Sequence, residues 1–473
     1  MECSEYYVRP VEPTILDAQV HYKLSPMDLI ISLSIETVHV IPGDIDPPRF
    51  LDALSRTLSV YPLAAGRFER PSDTSDGWKI RLTKSGVPVK FLENHTEQIM
   101  PSTRVIQNQG VASLVEKVDI DKILEPHSDE PLARFTMVKF VKTGLTAIGF
   151  SQYHTIGDGF IVIQFLRLLS QTYQGLLPLD PSPSYSSHYS PLHATSTYPQ
   201  ESLMTPHLES PFPMGGKPPF MGRHKGEISR VDIHFRVETI EQIHKAVTLL
   251  ANENTDEGSR SVAFSKQDTL IALLARASTK SDPRNAIQHI INFFMYRGIG
   301  STSPTAVGNA NLGAIAFMPK GASSNEPIEY IVRRVRQAIT QVREPEFLEV
   351  LIAKVGDLAL RAADANMLLD ITPPDGIMAV NSTWRFDWTS AHFGHPGRTQ
   401  FYHTMLLEPR FIKIVQPNPI RLADGTYQSF SGDAEVTLCV LKKQRELFTR
   451  ALHEEMGGLH VEGMPEVVIA ELA

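Results

Sequence analysis

Apolar residues along this chain follow two rhythms, one of period two and one of about 3.6. Residues 29–40 (LIISLSIETVHV) partly alternate and are rich in Ile, Val and Thr, which predicts a strand. Residues 48–61 switch to helical spacing at Phe50, Leu51, Leu54, Leu58 and Tyr61. They stop before Pro62, which cannot continue a helix. Residues 135–141 and 146–153 predict two more strands. Lys142, Thr143 and Gly144 join them in a hairpin turn, with glycine available for a positive φ. A helix over 159–173 follows, with Ile161, Phe165, Leu168 and Leu169 on one face.

From about residue 175 to 223 both rhythms vanish. Proline recurs from Pro178 to Pro219 among serines and tyrosines, so this segment has little to bury and predicts a surface crossover between two domains. The pattern then resumes as strand 231–237, helices 239–250 and 265–277, strand 286–296, helix 327–342, strand 434–441 and helix 444–456. Ser265 is the expected cap of the second of these helices. Arg333, Arg334 and Arg336 are expected to form a solvated face on the helix over 327–342. No repeat of fixed period is visible. The fold class is therefore α/β, with two similar-sized domains of mixed sheet flanked by helices. The expected boundaries are 1–180 for the N-terminal domain, 181–225 for the crossover and 226–473 for the C-terminal domain.

Composition removes several classes of function. The chain has 473 residues, a formal charge of −8 and 42% hydrophobic residues, which is ordinary for a folded protein. Without a basic excess, a nucleic-acid partner is not expected. Two cysteines, Cys3 and Cys439, make neither a disulfide framework nor a cysteine zinc site. The histidines are scattered, so no metal site is expected. No basic-then-apolar leader and no run of roughly 20 apolar residues is present, which predicts a cytoplasmic protein with no membrane span.

Chemistry concentrates at His154-Thr155-Ile156-Gly157-Asp158-Gly159, between a predicted strand and a predicted helix. Such a junction projects a side chain from rigid supports. A neutral imidazole there could take a proton from a hydroxyl or amine attacking an acyl carbon. Asp158 could orient that imidazole, or point away and hold the loop through an arginine. Among 17 histidines, one near an aspartate also arises by chance, so the flanking elements carry the weight.

This motif resembles the H-x-x-x-D-G active-site motif of the BAHD acyltransferases. Other segments are similar to that family in the same order: Leu24-Ser25-Pro26-Met27-Asp28, Tyr61-Pro62-Leu63-Ala64-Ala65-Gly66-Arg67, Gly308-Asn309-Ala310, and Ser382-Thr383-Trp384. His392-Phe393-Gly394 resembles the family's D-F-G-W-G, with His392, His395 and Pro396 as departures and Arg398 beyond, so the chain looks like a divergent, fungal-type member.

The resemblance implies transfer of an acyl group, acetyl foremost, from acyl-CoA to a hydroxyl (or amine) of a small, secondary-metabolite acceptor. It implies an active site in a channel between the two domains, with His154 as the base. Ser382 or Thr383, together with the Trp384 indole, are the implied oxyanion donors. Asp158 would pair with Arg297 and, with Gly159, shape the loop. Ser265, Lys266 and Thr269, at a helix start, are the candidate contacts for CoA phosphates, with Arg276 and Lys280 farther along. Acyl-CoA is a co-substrate, no cofactor is tightly bound, and a monomer is expected. The alternatives are a condensation-type enzyme, disfavoured by Tyr153 before the histidine, and a non-catalytic ligand-binding member.

Overall fold

The computed structural model describes residues 3–16, 19–71, 77–83, 85–96, 103–186, 203–208, 210–216, 226–253, 262–318, 326–404 and 408–471, with residues 198, 218 and 224. The first half supplies strands β1 (Cys3–Val8), β2 (Ser34–Ile41), β3 (Val87–Asn94), β4 (Ala133–Phe140) and β5 (Leu145–Tyr153). It also supplies helices α1 (Pro47–Val60) and α2 (Gly159–Gln174). The second half runs β6 (Ile228–Phe235), α3 (Val237–Glu253), α4 (Lys266–Ser281), β7 (His289–Met295), β8 (Asn311–Phe317), α5 (Ile328–Gln341) and α6 (Pro345–Asp364). It ends with β9 (Ile377–Ser382), β10 (Gln400–His403), β11 (Phe411–Val415), β12 (Ala434–Leu441), α7 (Arg445–Gly458) and β13 (Glu466–Glu471).

Two mixed sheets result. The first has the order β1-β3-β4-β5-β2-β10 and the second β8-β7-β9-β11-β12-β6-β13. In the first sheet only β3 and β4 run parallel; in the second, β7, β9 and β11 do. The strand β10 comes from the second half of the chain yet pairs antiparallel with β2. The expected division at residue 226 therefore separates most of the two sheets but not all, because residues 400–403 return to the first.

Local chemistry sets the element ends. Helix α1 begins at Asp46, whose Oδ1 accepts the Arg49 N–H at 2.7 Å, and stops at Tyr61 before Pro62. Helix α2 ends at Gly175, which takes φ +73°. Two expectations change. The strand predicted over 29–40 starts only at Ser34, because Ser25 and Asp28 close a capping box around a 3-10 turn at Pro26–Leu29. The crossover is partly packed inside: Leu203, Leu208 and Phe212 are buried, and Pro211–Pro213 pairs with Met367–Leu369. The other part, 187–197, lies outside the described residues.

Each sheet has its own core. In the first, Phe150 stacks on Phe165 with centroids 5.5 Å apart and packs tilted against Phe135 at 4.7 Å. In the second, Val231, Ile233, Val380, Ile412, Ile414, Val436 and Leu438 face the helices. The arginines of α5 are not a solvated face. Arg334 Nε donates to the Phe317 carbonyl at 3.1 Å, Arg333 to that of Ala251, and Arg336 pairs with Asp268. Strand alternation puts Arg230, Asp232, Asn381, Lys413, Glu435 and Thr437 on the other face of this sheet. That face meets the first half, with Arg230 Nη1 on the Gln107 carbonyl at 3.0 Å. Among the described residues no helix is long and apolar enough to cross a membrane.

Removing a fully buried ring from the first core leaves a cavity. Phe150→Ala is expected to lower unfolding free energy by about 3–5 kcal/mol, measured by denaturant titration.

Candidate active site

His154 follows β5 directly and begins a single 3-10 turn, His154–Ile156. Its backbone N–H donates to the Leu33 carbonyl at 2.8 Å, fixing the turn beside the start of β2. The Gln152 amide holds the Gly157 carbonyl at 2.8 Å. A Cβ on Gly157 would sit 2.6 Å from Ile161 Cβ, so this close approach to α2 requires glycine.

The imidazole is oriented by an amide. His154 Nδ1 lies 2.9 Å from Asn309 Oδ1, and Asn309 Nδ2 donates to the His154 carbonyl at 3.1 Å. The second bond fixes which end of the amide faces the ring. It assigns Nδ1 as the N–H and leaves the Nε2 lone pair free. Burial lowers the His154 pKa below its ordinary value, and the Lys413 charge acts in the same direction. Asp158 and the Asn309 bond oppose them. The ring is therefore neutral at pH 7.

Asp158 turns away from the imidazole. Its Oδ1 accepts the Phe160 and Ile161 N–H groups at 3.1 and 3.3 Å, capping α2. Its Oδ2 accepts Arg297 Nη1 at 2.8 Å and the Ala310 N–H at 3.1 Å. Arg297 Nε and Nη2 donate to the Ala306 and Gly308 carbonyls, each at 2.8 Å, and its guanidinium lies 4.7 Å from the centre of the Phe160 ring. The structure thus brings His154, Asp158 and Arg297 to one place. Gly159 sits beside Trp388, 3.5 Å from where a Cβ would be, which is ordinary contact distance.

Two residues of this site were not assigned a role from the sequence. One is Asn309. The other is Asp28, whose Oδ1 accepts the Asn309 N–H at 2.7 Å and whose Oδ2 accepts the Ser25 N–H at 2.9 Å. Gly308 has φ +88°, and a Cβ there would come within 2.4 Å of Asp28 Oδ1, so only glycine lets the carboxylate reach Asn309. Burial pushes the Asp28 carboxyl up to about 7, against the two backbone donors that favour its charged form. Both residues lay in short motifs already visible in the sequence, but nothing in the sequence shows that 28 and 309 touch.

The remaining candidates are placed differently from one another. Ser382 ends β9, with Oγ 3.5 Å from the Trp384 N–H. The Trp384 indole N–H donates to the Asp433 carbonyl at 2.8 Å, so the structure commits this donor to a backbone partner. Thr383 Oγ1 accepts the Trp388 indole N–H at 3.2 Å, which leaves its own proton available.

At the start of α4, Ser265 and Asp268 form a capping box, and Arg336 neutralises Asp268. Thr269 is fully buried with its hydroxyl on the Lys266 carbonyl at 2.9 Å, and Lys266 pairs with Glu241 at 2.9 Å. The Ser265 and Thr269 side chains, expected as phosphate contacts, are thus engaged within the helix start itself. Arg276 and Lys280 both bind Glu455, at 2.7 and 2.5 Å. Among the described residues no cluster of His, Cys, Asp and Glu is arranged to hold a metal.

The Asn309 amide and the imidazole it orients thus sit between β5 and the segment that leads into β8. A model of the Transferase family matches residues 4–403, and the chain belongs to this family, the BAHD acyltransferases. Among solved structures, vinorine synthase superposes with a TM-score of 0.63 at 16% identity, covering 94% of this chain and 96% of that one. F. sporotrichioides TRI101, complexed with coenzyme A and T-2, gives 0.62 at 14%, covering 94% and 99%. F. graminearum TRI101, complexed with coenzyme A and T-2 mycotoxin, gives 0.64 at 12%, covering 95% and 100%. The two-sheet α/β architecture expected from the sequence is the fold of these proteins. No curated protein sequence matches the chain.

Breaking a buried ion pair by neutralising one partner strands the other charge. Asp158→Asn is expected to lose about 3–5 kcal/mol of stability, read by denaturant titration, and to lower activity mainly through that loosening. A folded Asp158→Asn protein with unaltered site geometry but as inactive as His154→Ala would overturn this structural role.

Proposed function

We propose that this chain moves an acyl group, acetyl in the simplest case, from acyl-CoA to a hydroxyl or amine of a small secondary-metabolite acceptor. The carrying observation is the Asn309–His154 bond, which holds a neutral ring with Nε2 unprotonated. Family membership supports the reaction class, and the coenzyme A and T-2 found with TRI101 support the kinds of substrate.

In this reading Nε2 takes the acceptor proton as the acceptor oxygen or nitrogen attacks the thioester carbon. A hydroxyl at the end of β9, Ser382 or Thr383, donates to the oxyanion that forms. The C–S bond then breaks, and the imidazolium returns its proton to the departing thiolate, releasing free CoA thiol. Direct transfer in a ternary complex needs no acyl-enzyme. Burial pushes the Cys439 thiol up to about 12, so it is not an activated nucleophile. Trp384 is assigned a packing and positioning role instead of donation. Asp158, Gly159 and Arg297 hold the loop.

A thiol-release assay with acetyl-CoA and a panel of alcohols and amines tests this. Release should require an acceptor. His154→Ala should lower kcat by about 10²–10⁴ and Ser382→Ala by about 10²–10³. No thiol release with any acceptor, alongside saturable ligand binding, would instead indicate a non-catalytic member.

The pH profile has a defined sign. The base works when neutral, and burial holds His154 below its ordinary value of 6.5. Log kcat/KM should therefore stay flat as pH falls through 6.5 and decline only at lower pH. A decline centred above 6.5 would contradict a buried neutral base.

A further inference from the structure

Lys413 lies in the middle of β11, on the face of the second sheet that turns away from the helices. Its strand neighbours Ile412 and Ile414 point into the apolar core, so alternation sends Lys413 toward the first sheet. It is only 8% exposed. Among the described residues no group hydrogen-bonds or ion-pairs with its ammonium.

Its surroundings explain why no carboxylate reaches it. The register places Asn381 on one side and Thr437 on the other. Thr437 donates instead to Asp232 Oδ1 at 2.8 Å, and Asp232 also takes Arg230 Nε at 2.9 Å. Two strand spacings separate Asp232 from Lys413 in this row, about 10 Å. From the first sheet, Glu36 is taken by Ser34 Oγ, Thr404 Oγ1 and Lys117 Nζ, at 2.6, 2.8 and 2.8 Å. The groups on which the Lys413 charge acts are His154 and His403, both pushed toward their neutral forms. The Lys413 side chain is largely removed from water with no counter-ion in reach, and burial lowers its pKa to about 8.

The position is next to the reaction centre. On β9, Thr383 lies two residues beyond Asn381 and so shares its face, and it receives the Trp388 indole. Trp388 lies 3.5 Å from where a Cβ on Gly159, five residues after His154, would be, and packs edge-on against His403 with centroids 5.0 Å apart. An anion held here cannot be a phosphate of coenzyme A. The whole pantetheine arm separates those phosphates from the thioester carbon at the base.

We propose that Lys413 is a specificity residue that binds a carboxylate carried close to the reacting atoms, either on the acceptor or on a dicarboxylic acyl group such as malonyl. This rests on the acyl-transfer reading for its substrate frame. The ammonium's missing counter-ion then arrives with the substrate, and the Lys413–carboxylate pair forms only in the loaded site.

The test compares wild type with Lys413→Met and Lys413→Arg in thiol release. One arm pairs malonyl-CoA with acetyl-CoA; the other pairs hydroxy acids with their methyl esters. Wild type should prefer the carboxylate in one arm, and that arm identifies its source. Lys413→Met should lower the ratio of kcat/KM for the carboxylate partner over the neutral one by about 10–100-fold, and melt at a higher temperature. Lys413→Arg should restore part of the preference. No preference for the carboxylate in wild type, or equal losses on both partners in Lys413→Met, overturns the proposal. Calorimetric binding of the same four probes gives a readout that needs no turnover. If wild type releases no thiol but still binds the carboxylate probe better, and Lys413→Met does not, acyl transfer fails while the Lys413 assignment stands. Equal binding of both probes by both proteins overturns it.

Discussion

Asp158 gives each of its oxygens two donors: the Phe160 and Ile161 N–H groups on one, Arg297 Nη1 and the Ala310 N–H on the other. Taking a carboxylate and a guanidinium out of water costs several kcal/mol per ion, and only a filled set of hydrogen bonds offsets it. Here the carboxylate's set is filled, and Arg297 donates further to the Ala306 and Gly308 carbonyls. The start of α2, the segment after β7 and the Gly308–Ala310 turn therefore behave as one block. Asn309 belongs to that block, so the orientation of His154 is inherited from an ion pair that never touches the imidazole.

The choice of an amide as the partner of Nδ1 has its own consequence. A carboxylate in that place would stabilise the imidazolium and raise the pKa of the ring. Asn309 supplies direction without a full charge, while burial and the Lys413 charge favour the neutral form. The motif's aspartate acts on the ring only at a distance, and its oxygens are committed to α2, Arg297 and Ala310. The H-x-x-x-D spacing is thus the signature of a capped helix start beside a base, not of a hydrogen-bonded acid–base pair.

Much of the fold could be read from periodicity because its long elements bury one face. Helices α1, α2, α3, α4 and α5 and strands β4, β5, β6, β7 and β12 lie close to their expected positions. Helix α6 was not anticipated, although Phe347, Leu348, Leu351, Ile352 and Val355 do carry the helical spacing. Short strands such as β10 are too brief to show any period, and their pairing is decided by distant partners. At the site, His154, Asp158 and Arg297 were legible as a motif and a matching position. Asp28 and Lys413 were not, because each acquires its meaning from residues hundreds of positions away. At the start of α4, Ser265 is followed three residues on by Asp268, and this internal carboxylate caps the helix end.

The return of the chain to β10 has a mechanical side. Between β5 and β11 the backbone passes from the first sheet to the second, back to β2 through the ladder from Gln400 to His403, and over again. The two sheets are stitched rather than hinged. A clamshell opening would have to peel β10 off β2, breaking a buried ladder each time. The seam between the sheets is thus held shut at β10 by backbone hydrogen bonds as well as by side-chain packing.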